Sequence, residues 1–137
     1  MKKTCGIYLI NKNGNLLILH PTNASEFGSW SIPKGEPDEK DGSFLDTAIR
    51  ETFEETGIKI NTNIPYYLSH VFYKSKKKVL YSFLIIDNDL DDVDVVCNSY
   101  INLNGFTFPE NDNYLWVHIT STNLYKYLHE EIGRAHV

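Results

Sequence analysis

Residues 34–58 of the 137-residue chain read KGEPDEKDGSFLDTAIRETFEETGI, and this stretch decides the fold. A charged loop is followed by apolar residues at helical spacing, with Ser43 in an N-cap position and Gly57 placed to end the helix. The pattern predicts a helix over Phe44–Thr56, about four turns long. The apolar side chains expected on its buried side are Phe44, Leu45, Ala48, Ile49 and Phe53.

Three carboxylates lie on the opposite side of this predicted helix. Glu51, Glu54 and Glu55 stand at positions i, i+3 and i+4, so their side chains project together. Two such charges repel by about 4 kcal/mol when they are 4 Å apart at an effective dielectric near 20. Arg50 can offset part of this repulsion, and Mg²⁺ or Mn²⁺, which prefer oxygen ligands, can bridge the remaining carboxylates. A solvated acidic helix face is the alternative.

The order of these features resembles the Nudix box, written G-x(5)-E-x(7)-R-E-U-x-E-E-x-G-U with U a bulky apolar residue. The matching positions are Gly35 for the first glycine, 50–51 for the Arg-Glu pair, 54–55 for the paired glutamates and 57–58 for the closing pair. A match at so many positions is specific, and we interpret the chain as an active Nudix enzyme in preference to a degenerate nucleotide-binding module.

Two positions depart from the Nudix pattern. Fourteen residues separate Gly35 from Arg50, where the family has thirteen. Counting from Gly35 puts Asp41 in the place of the loop glutamate, whereas counting back from Arg50 puts Gly42 there. Thr52 also stands where an apolar residue is usual. We expect Asp41 to support the loop and helix as the family glutamate does.

The resemblance implies an α+β Nudix fold, an α/β/α sandwich whose central mixed β-sheet is flanked by helices. It also implies Mg²⁺- or Mn²⁺-dependent hydrolysis of a nucleoside diphosphate-linked substrate by a metal-activated water. The metal ligands would be the backbone carbonyl of Lys34 and the carboxylates of Glu51, Glu54, Glu55 and Glu110. The catalytic set would be Arg50, Glu51, Glu54, Glu55 and Glu110, with the general base left open among the glutamates.

Two further stretches indicate the substrate class. Residues 110–116, ENDNYLW, look like the Glu-x(3)-Tyr-x-Trp stretch of diadenosine-polyphosphate hydrolases, and residues 30–35, WSIPKG, resemble the Trp-x-x-Pro-Lys-Gly run of the same group. Lys34, Tyr73 and Lys76 are therefore expected to bind a nucleotide, although a lysine-rich hairpin tip is more often a solubility device. Dinucleoside polyphosphate is favoured, with nucleoside triphosphate next and an RNA 5′-pyrophosphohydrolase as the nearest rival.

The rest of the chain predicts strands around a second helix. Asn13-Gly14 favours a tight hairpin turn. The predicted strands are 4–10, 16–19, 30–33, 58–60, 66–73, 79–86 and 114–119. A long surface loop is expected over 87–108, with a short edge strand in it as the alternative, and a helix over 122–131 with Leu124, Tyr127 and Leu128 facing inward.

Composition restricts the partners and the compartment. The chain carries 18 acidic and 13 basic residues, a formal charge of −5, which argues against a general nucleic-acid coat protein. Cys5 and Cys97 lack metal-ligand spacing and predict reduced thiols in a cytoplasmic protein. No signal peptide or membrane span is expected, and the protein would be a monomer or homodimer. One domain over 1–130 is expected, while tail 131–137 matches a translated sequencing adapter or is an ordinary frayed helix end.

Overall fold

The computed structural model describes residues 1–60, 66–73 and 77–129. The helices are α1 (Phe44–Thr56) and α2 (Asn123–Tyr127). The strands are β1 (Lys2–Ile10), β2 (Asn15–Pro21), β3 (Lys34–Gly35), β4 (Tyr66–Phe72), β5 (Lys78–Ile86), β6 (Tyr100–Leu103), β7 (Phe106–Pro109) and β8 (Asn111–His118). The predicted bounds of α1 are confirmed: the Ser43 side chain accepts from the Asp46 N–H, and Gly57 ends the helix at a φ of 74°.

Six strands form one mixed sheet. The order is β4-β5-β1-β2-β8, and β3 pairs with β1 outside this path. β1 and β5 are parallel along their whole length, while the other pairs in this sheet are antiparallel. The predicted mixed sheet and α+β class are therefore confirmed.

Alternate side chains of the sheet enter two separate cores. Cys5, Ile7 and Leu9 of β1 belong to the core that includes Ala48 of α1. Tyr8, on the other face of the same strand, belongs to a second core that contains Trp30, Ile32 and Leu128, with Leu124 and Tyr127 packed against it. This alternation follows from the two-residue period of a strand. The sheet is thus covered by α1 on one face and by the chain around α2 on the other.

The predicted buried face of α1 was only partly right, because Ala48 is buried and Phe44 and Ile49 pack against the core, but other predicted residues do not. The buried residues of this helix are Thr47, Ala48, Thr52, Glu55 and Thr56, and Phe53 is 44% exposed. Threonine can be buried here because its hydroxyl is satisfied locally: the Thr52 Oγ1 donates to the Ala48 carbonyl at 2.7 Å. Small side chains therefore make up much of the buried face of α1, and the carboxylate-bearing residue Glu55 is buried along with them.

Several other predicted elements differ from the structure. Residues 58–60 form no strand, and residues 30–33 contribute only isolated bridges at Trp30 and Ser31 before β3. The predicted loop 87–108 contains the hairpin β6–β7, whose turn has positive φ at Asn104 and Gly105. This Asn-Gly pair is a hairpin signal that the sequence interpretation missed.

The C-terminal helix is shorter than predicted, because α2 ends at Tyr127 and Leu128 adopts an extended conformation. Cys97 is only half-buried, whereas Cys5 is buried, and both thiols are free. Lys76 and the tail 131–137 lie outside the described residues. No helix in the described ranges is long and apolar enough to cross a lipid bilayer.

Candidate active site

Arg50 clamps three carboxylates beside the N-terminal loop of α1. Its Nη1 donates to the Glu51 Oε1 at 2.9 Å and to both carboxylate oxygens of Glu54 at 3.2 Å. Its Nε and Nη2 each donate at 3.0 Å to one oxygen of Asp41. Such a two-bond pair fixes the guanidinium plane, so the loop and the helix are tied at one point.

Asp41 is the loop carboxylate that contacts Arg50. Its side chain is 8% exposed and also accepts hydrogen bonds from the Thr47 hydroxyl and the Asp38 backbone N–H, each at 2.8 Å. The hydrogen bond from Arg50 is the main reason that the pKa of Asp41 lies below its usual range. Gly42, the alternative position from the spacing, is exposed.

Glu55 is the most enclosed carboxylate of the group, with 4% of its surface exposed. Its Oε2 accepts from the Lys34 backbone N–H and its Oε1 from the Asn111 Nδ2, both at 2.9 Å. Burial and the negative charge of Glu110 nevertheless raise the pKa of Glu55. Asn111 therefore joins β8 to α1 through a partly buried hydrogen bond across 56 sequence positions, and no local sequence signal points to it.

Gly35 makes room for Glu51. A Cβ atom built on Gly35 would lie 2.1 Å from the Glu51 Cδ and within 2.4 Å of both carboxylate oxygens. Any side chain at position 35 must therefore displace this carboxylate. Burial, followed by the charge of Glu54, raises the pKa of Glu51 to about 7. The backbone of β3 and the side chain of α1 are thus in direct contact at the first glycine of the motif.

Glu110 reaches the same cluster from the junction of β7 and β8. Ser99 holds it twice, since the Ser99 Oγ donates to the Glu110 Oε2 at 2.6 Å and the Glu110 N–H donates to the Ser99 carbonyl at 2.8 Å. The charge of Glu110 raises the pKa of both Glu51 and Glu55. The next residue, Asn111, donates to Glu55, so Glu110 lies on the segment that contacts the helical carboxylates. Ser99 is a contact that the sequence interpretation missed.

The donor set of this cluster suits a hard divalent cation, because it consists of carboxylate oxygens whose mutual repulsion a cation would relieve. In the described ranges no three His, Cys, Asp or Glu side chains already surround a common metal position. In this arrangement the Arg50 guanidinium lies against Glu51 and Glu54. The Glu54 side chain is 41% exposed, so it can rotate toward a cation without disturbing the core.

Two lysines lie near the acidic cluster. Burial first, and then the positive charge of Lys34, lowers the pKa of Lys78, while the charges of Glu36 and Glu110 act in the opposite direction. The Lys78 Nζ stands 5.1 Å from the centre of the Tyr73 ring, a cation–π distance. Tyr73 itself packs against the second core and is only partly accessible.

Two cavities share a wall formed by Asp112 and Asn113 at the start of β8. The first, of about 380 Å³, extends from Glu55 to Tyr100. The second, of about 420 Å³, is lined by His20 and Trp30. The His20 Nδ1 pairs with the Asp112 Oδ1 at 2.5 Å, and its Nε2 contacts the carbonyls of residues 24 and 25. His20 therefore anchors the loop after β2.

Comparison with known proteins shows which domain family has this fold. A model of the NUDIX domain matches residues 2–133. An uncharacterized 17.7 kDa protein from the e-segB intergenic region of Enterobacteria phage T4 is 28% identical over 90% of each chain. The NUDIX domain of Shewanella oneidensis NrtR, solved with ADP ribose, superposes with a TM-score of 0.72 at 15% identity, covering 98% of this chain and 83% of that one. A C. elegans Ap4A hydrolase superposes with a TM-score of 0.57 at 24% identity, covering 86% of this chain and 80% of that one.

Proposed function

The chain belongs to the Nudix family of pyrophosphohydrolases, and from this premise we propose that it hydrolyses dinucleoside polyphosphates with Mg²⁺ or Mn²⁺. The observation that carries the proposal is the cluster of Glu51, Glu54, Glu55 and Glu110. Arg50 pairs with the first two, Asn111 donates to Glu55, and Ser99 holds Glu110 at the junction of β7 and β8. Nucleoside triphosphate is the second substrate in this ranking. The free thiols of Cys5 and Cys97 favour a cytoplasmic location, where thiols stay reduced.

The proposed metal ligands are the four glutamates of the cluster together with the backbone carbonyl of Lys34. A divalent cation held by them would neutralise phosphoryl oxygens and lower the pKa of a bound water. Glu55 serves as a holding residue, because hydrogen bonds from Lys34 and Asn111 fix the positions of its two oxygens. The general base then comes from Glu51, Glu54 or Glu110.

Arg50 and Asp41 act as positioning residues in this proposal. The two-bond contact with Asp41 fixes the guanidinium, and the guanidinium in turn orients Glu51 and Glu54. Holding reacting groups in place lowers the barrier because less orientational freedom is lost in the transition state. Replacing Asp41 should therefore reduce kcat more than it alters substrate affinity.

Phosphate binding is assigned to Lys34 and Lys78, because the positive charge of Lys34 acts on Lys78, whose pKa is lowered first by burial and then by that charge. Cations at this edge would balance a phosphate chain lying across the carboxylates. The Glu-x(3)-Tyr-x-Trp stretch and the Trp-x-x-Pro-Lys-Gly run support a dinucleoside polyphosphate, and one structural neighbour is a C. elegans Ap4A hydrolase. Tyr73, beneath Lys78, and Lys76 complete the proposed nucleotide-binding set.

The test is a substrate panel with purified protein and either Mg²⁺ or Mn²⁺. Diadenosine tetraphosphate, ATP and 5′-triphosphorylated RNA are offered separately at equal concentration, and products are resolved by chromatography. We expect the highest kcat/KM for diadenosine tetraphosphate. Cleavage of the RNA alone would reverse the substrate order, and nucleotide binding without turnover at any metal concentration would replace the enzyme by a binding module.

A further inference from the structure

We propose that the cavity of about 380 Å³ between the β6–β7 hairpin and β8 is the nucleobase site, with Tyr100 stacking on the base. The inference rests on the proposed function and deepens it, because it assigns the part of the nucleotide that the carboxylate cluster does not bind. Its volume falls within the range of about 300–1,000 Å³ that is usual for small-molecule sites.

The cavity connects the catalytic cluster with an aromatic surface. Glu55 lines one part of it, and Tyr100, Pro109 and Tyr114 line other parts. A base bound among these side chains would be joined through its ribose to phosphates near Glu55. One continuous cavity therefore reaches from the Tyr100 ring to the Glu55 carboxylate, so a single nucleotide can contact the ring with its base and the carboxylate side with its phosphates.

Tyr100 is poorly buried for a large aromatic residue, with 61% of its surface exposed. It begins β6, which pairs only with β7 in a separate two-stranded sheet among the described strands. An aromatic face offered beside a cavity gains contact when a flat heterocycle covers it, and such stacking tolerates any base. The exposure of Tyr100 is thus consistent with a ligand-binding role.

The base of the hairpin is fastened to the catalytic cluster. Ser99, immediately before Tyr100, makes two hydrogen bonds with Glu110, one through its hydroxyl and one through its backbone carbonyl. Tyr100 itself lies opposite Pro109 in the hairpin register. Both chain ends of the hairpin are consequently held next to Glu110, which fixes the stacking surface relative to the carboxylates.

Charge separates this cavity from the phosphate site. Among the described lining residues there are the carboxylates of Glu55 and Asp112 and the amides of Asn111 and Asn113, but no Lys or Arg. Away from Glu55, where the proposed cation would hold the phosphates, Asp112 would repel a phosphate, whereas a neutral base can stack and hydrogen-bond to polar groups at its edge. The inference therefore places the base in the cavity and leaves the phosphates to Lys34 and Lys78.

The experiment compares two ligands that resist hydrolysis, measured by calorimetry with Mg²⁺. One is α,β-methylene-ADP, and the other is methylenediphosphonate, which has the same phosphonate unit without a nucleoside. Tyr100→Ala should raise the Kd of the nucleotide about 5- to 150-fold, the range expected for loss of one base–aromatic stack, and leave that of methylenediphosphonate unchanged. Tyr100→Phe should bind the nucleotide as the wild type does.

Phe106→Ala is the matched control, because Phe106 lies on the same hairpin, is 76% exposed and is not among the cavity-lining residues. It should alter neither Kd. An unchanged nucleotide Kd in Tyr100→Ala, an equal loss for both ligands, or failure of the wild type to bind the nucleotide would overturn the inference. If the stacking effect is found but no substrate of the panel is cleaved, the proposed hydrolysis fails while the base site stands.

Discussion

Replacing Gly35 by alanine puts a methyl group where the Glu51 carboxylate lies. The new Cβ would be 2.1 Å from the Glu51 Cδ, and ordinary contact begins at 3.4 Å, so the carboxylate must move by about 1.3 Å. A misplacement of about 1 Å in a reacting group can reduce the rate on the order of 100-fold. We therefore expect Gly35→Ala to lower kcat about 100-fold, with a smaller effect on KM.

The assay measures steady-state kinetics on the best substrate of the panel, together with thermal unfolding. Gly42→Ala is the control, since its added Cβ would meet only a carboxylate oxygen of the exposed Asp46 side chain, at 2.8 Å. This variant should keep kcat within about twofold of the wild type, because a flexible surface side chain can move away. A folded Gly35→Ala protein with wild-type kcat would refute the steric reasoning about Glu51.

Two further predictions concern pH. The pKa of Asp41 is lower in the folded protein than its unfolded value near 3.8, so the stabilisation by its charge is complete above that value and is lost as the pH falls toward the folded pKa. Asp41→Asn should therefore lose less stability in acid than the wild type does. Equal acid unfolding profiles of the two proteins would contradict this. Burial disfavours the protonated form of His20, but hydrogen bonds with Asp112 and two backbone carbonyls outweigh burial and raise the pKa of His20. The stabilisation of the folded state by protonated His20 is therefore complete below about pH 6.5 and declines as the pH rises through the folded-state pKa. Thermal unfolding of His20→Gln should show a smaller stability difference from the wild type at high pH than at low pH, and a constant difference would count against the pair.

The helix α1 could be predicted because its ends are specified locally. Ser43 caps the first turn and Gly57 supplies the left-handed residue at the last, and both act within a few residues of the chain. The apolar residues predicted only part of the side that α1 buries, namely Ala48 with Phe44 and Ile49 packed beside it. That choice depends on β1 and β3, which accept a face of threonines and Glu55 and leave Phe53 exposed.

The carboxylates of α1 and Glu110 could be proposed from their motifs, but the contacts that arrange them could not. Asn111 meets Glu55, and Ser99 meets Glu110, only after β7 and β8 have taken their places in the fold. Neither contact follows a helical or strand period. The β6–β7 hairpin had a readable signal in Asn104-Gly105, flanked by the alternating runs 101–103 (INL) and 106–108 (FTF), and the sequence interpretation missed both.

The central claim is that Glu54 and Glu55 hold a catalytic divalent cation. Its most direct test is the turnover of diadenosine tetraphosphate during a Mg²⁺ titration of the wild type and of the double variant Glu54→Gln, Glu55→Gln. Circular dichroism verifies the fold, and Glu39→Gln, a change at an exposed loop glutamate, serves as the control. We predict that the double variant remains folded and loses several orders of magnitude in turnover at every Mg²⁺ concentration. Unchanged turnover in that folded variant would contradict the claim that Glu54 and Glu55 hold a catalytic cation.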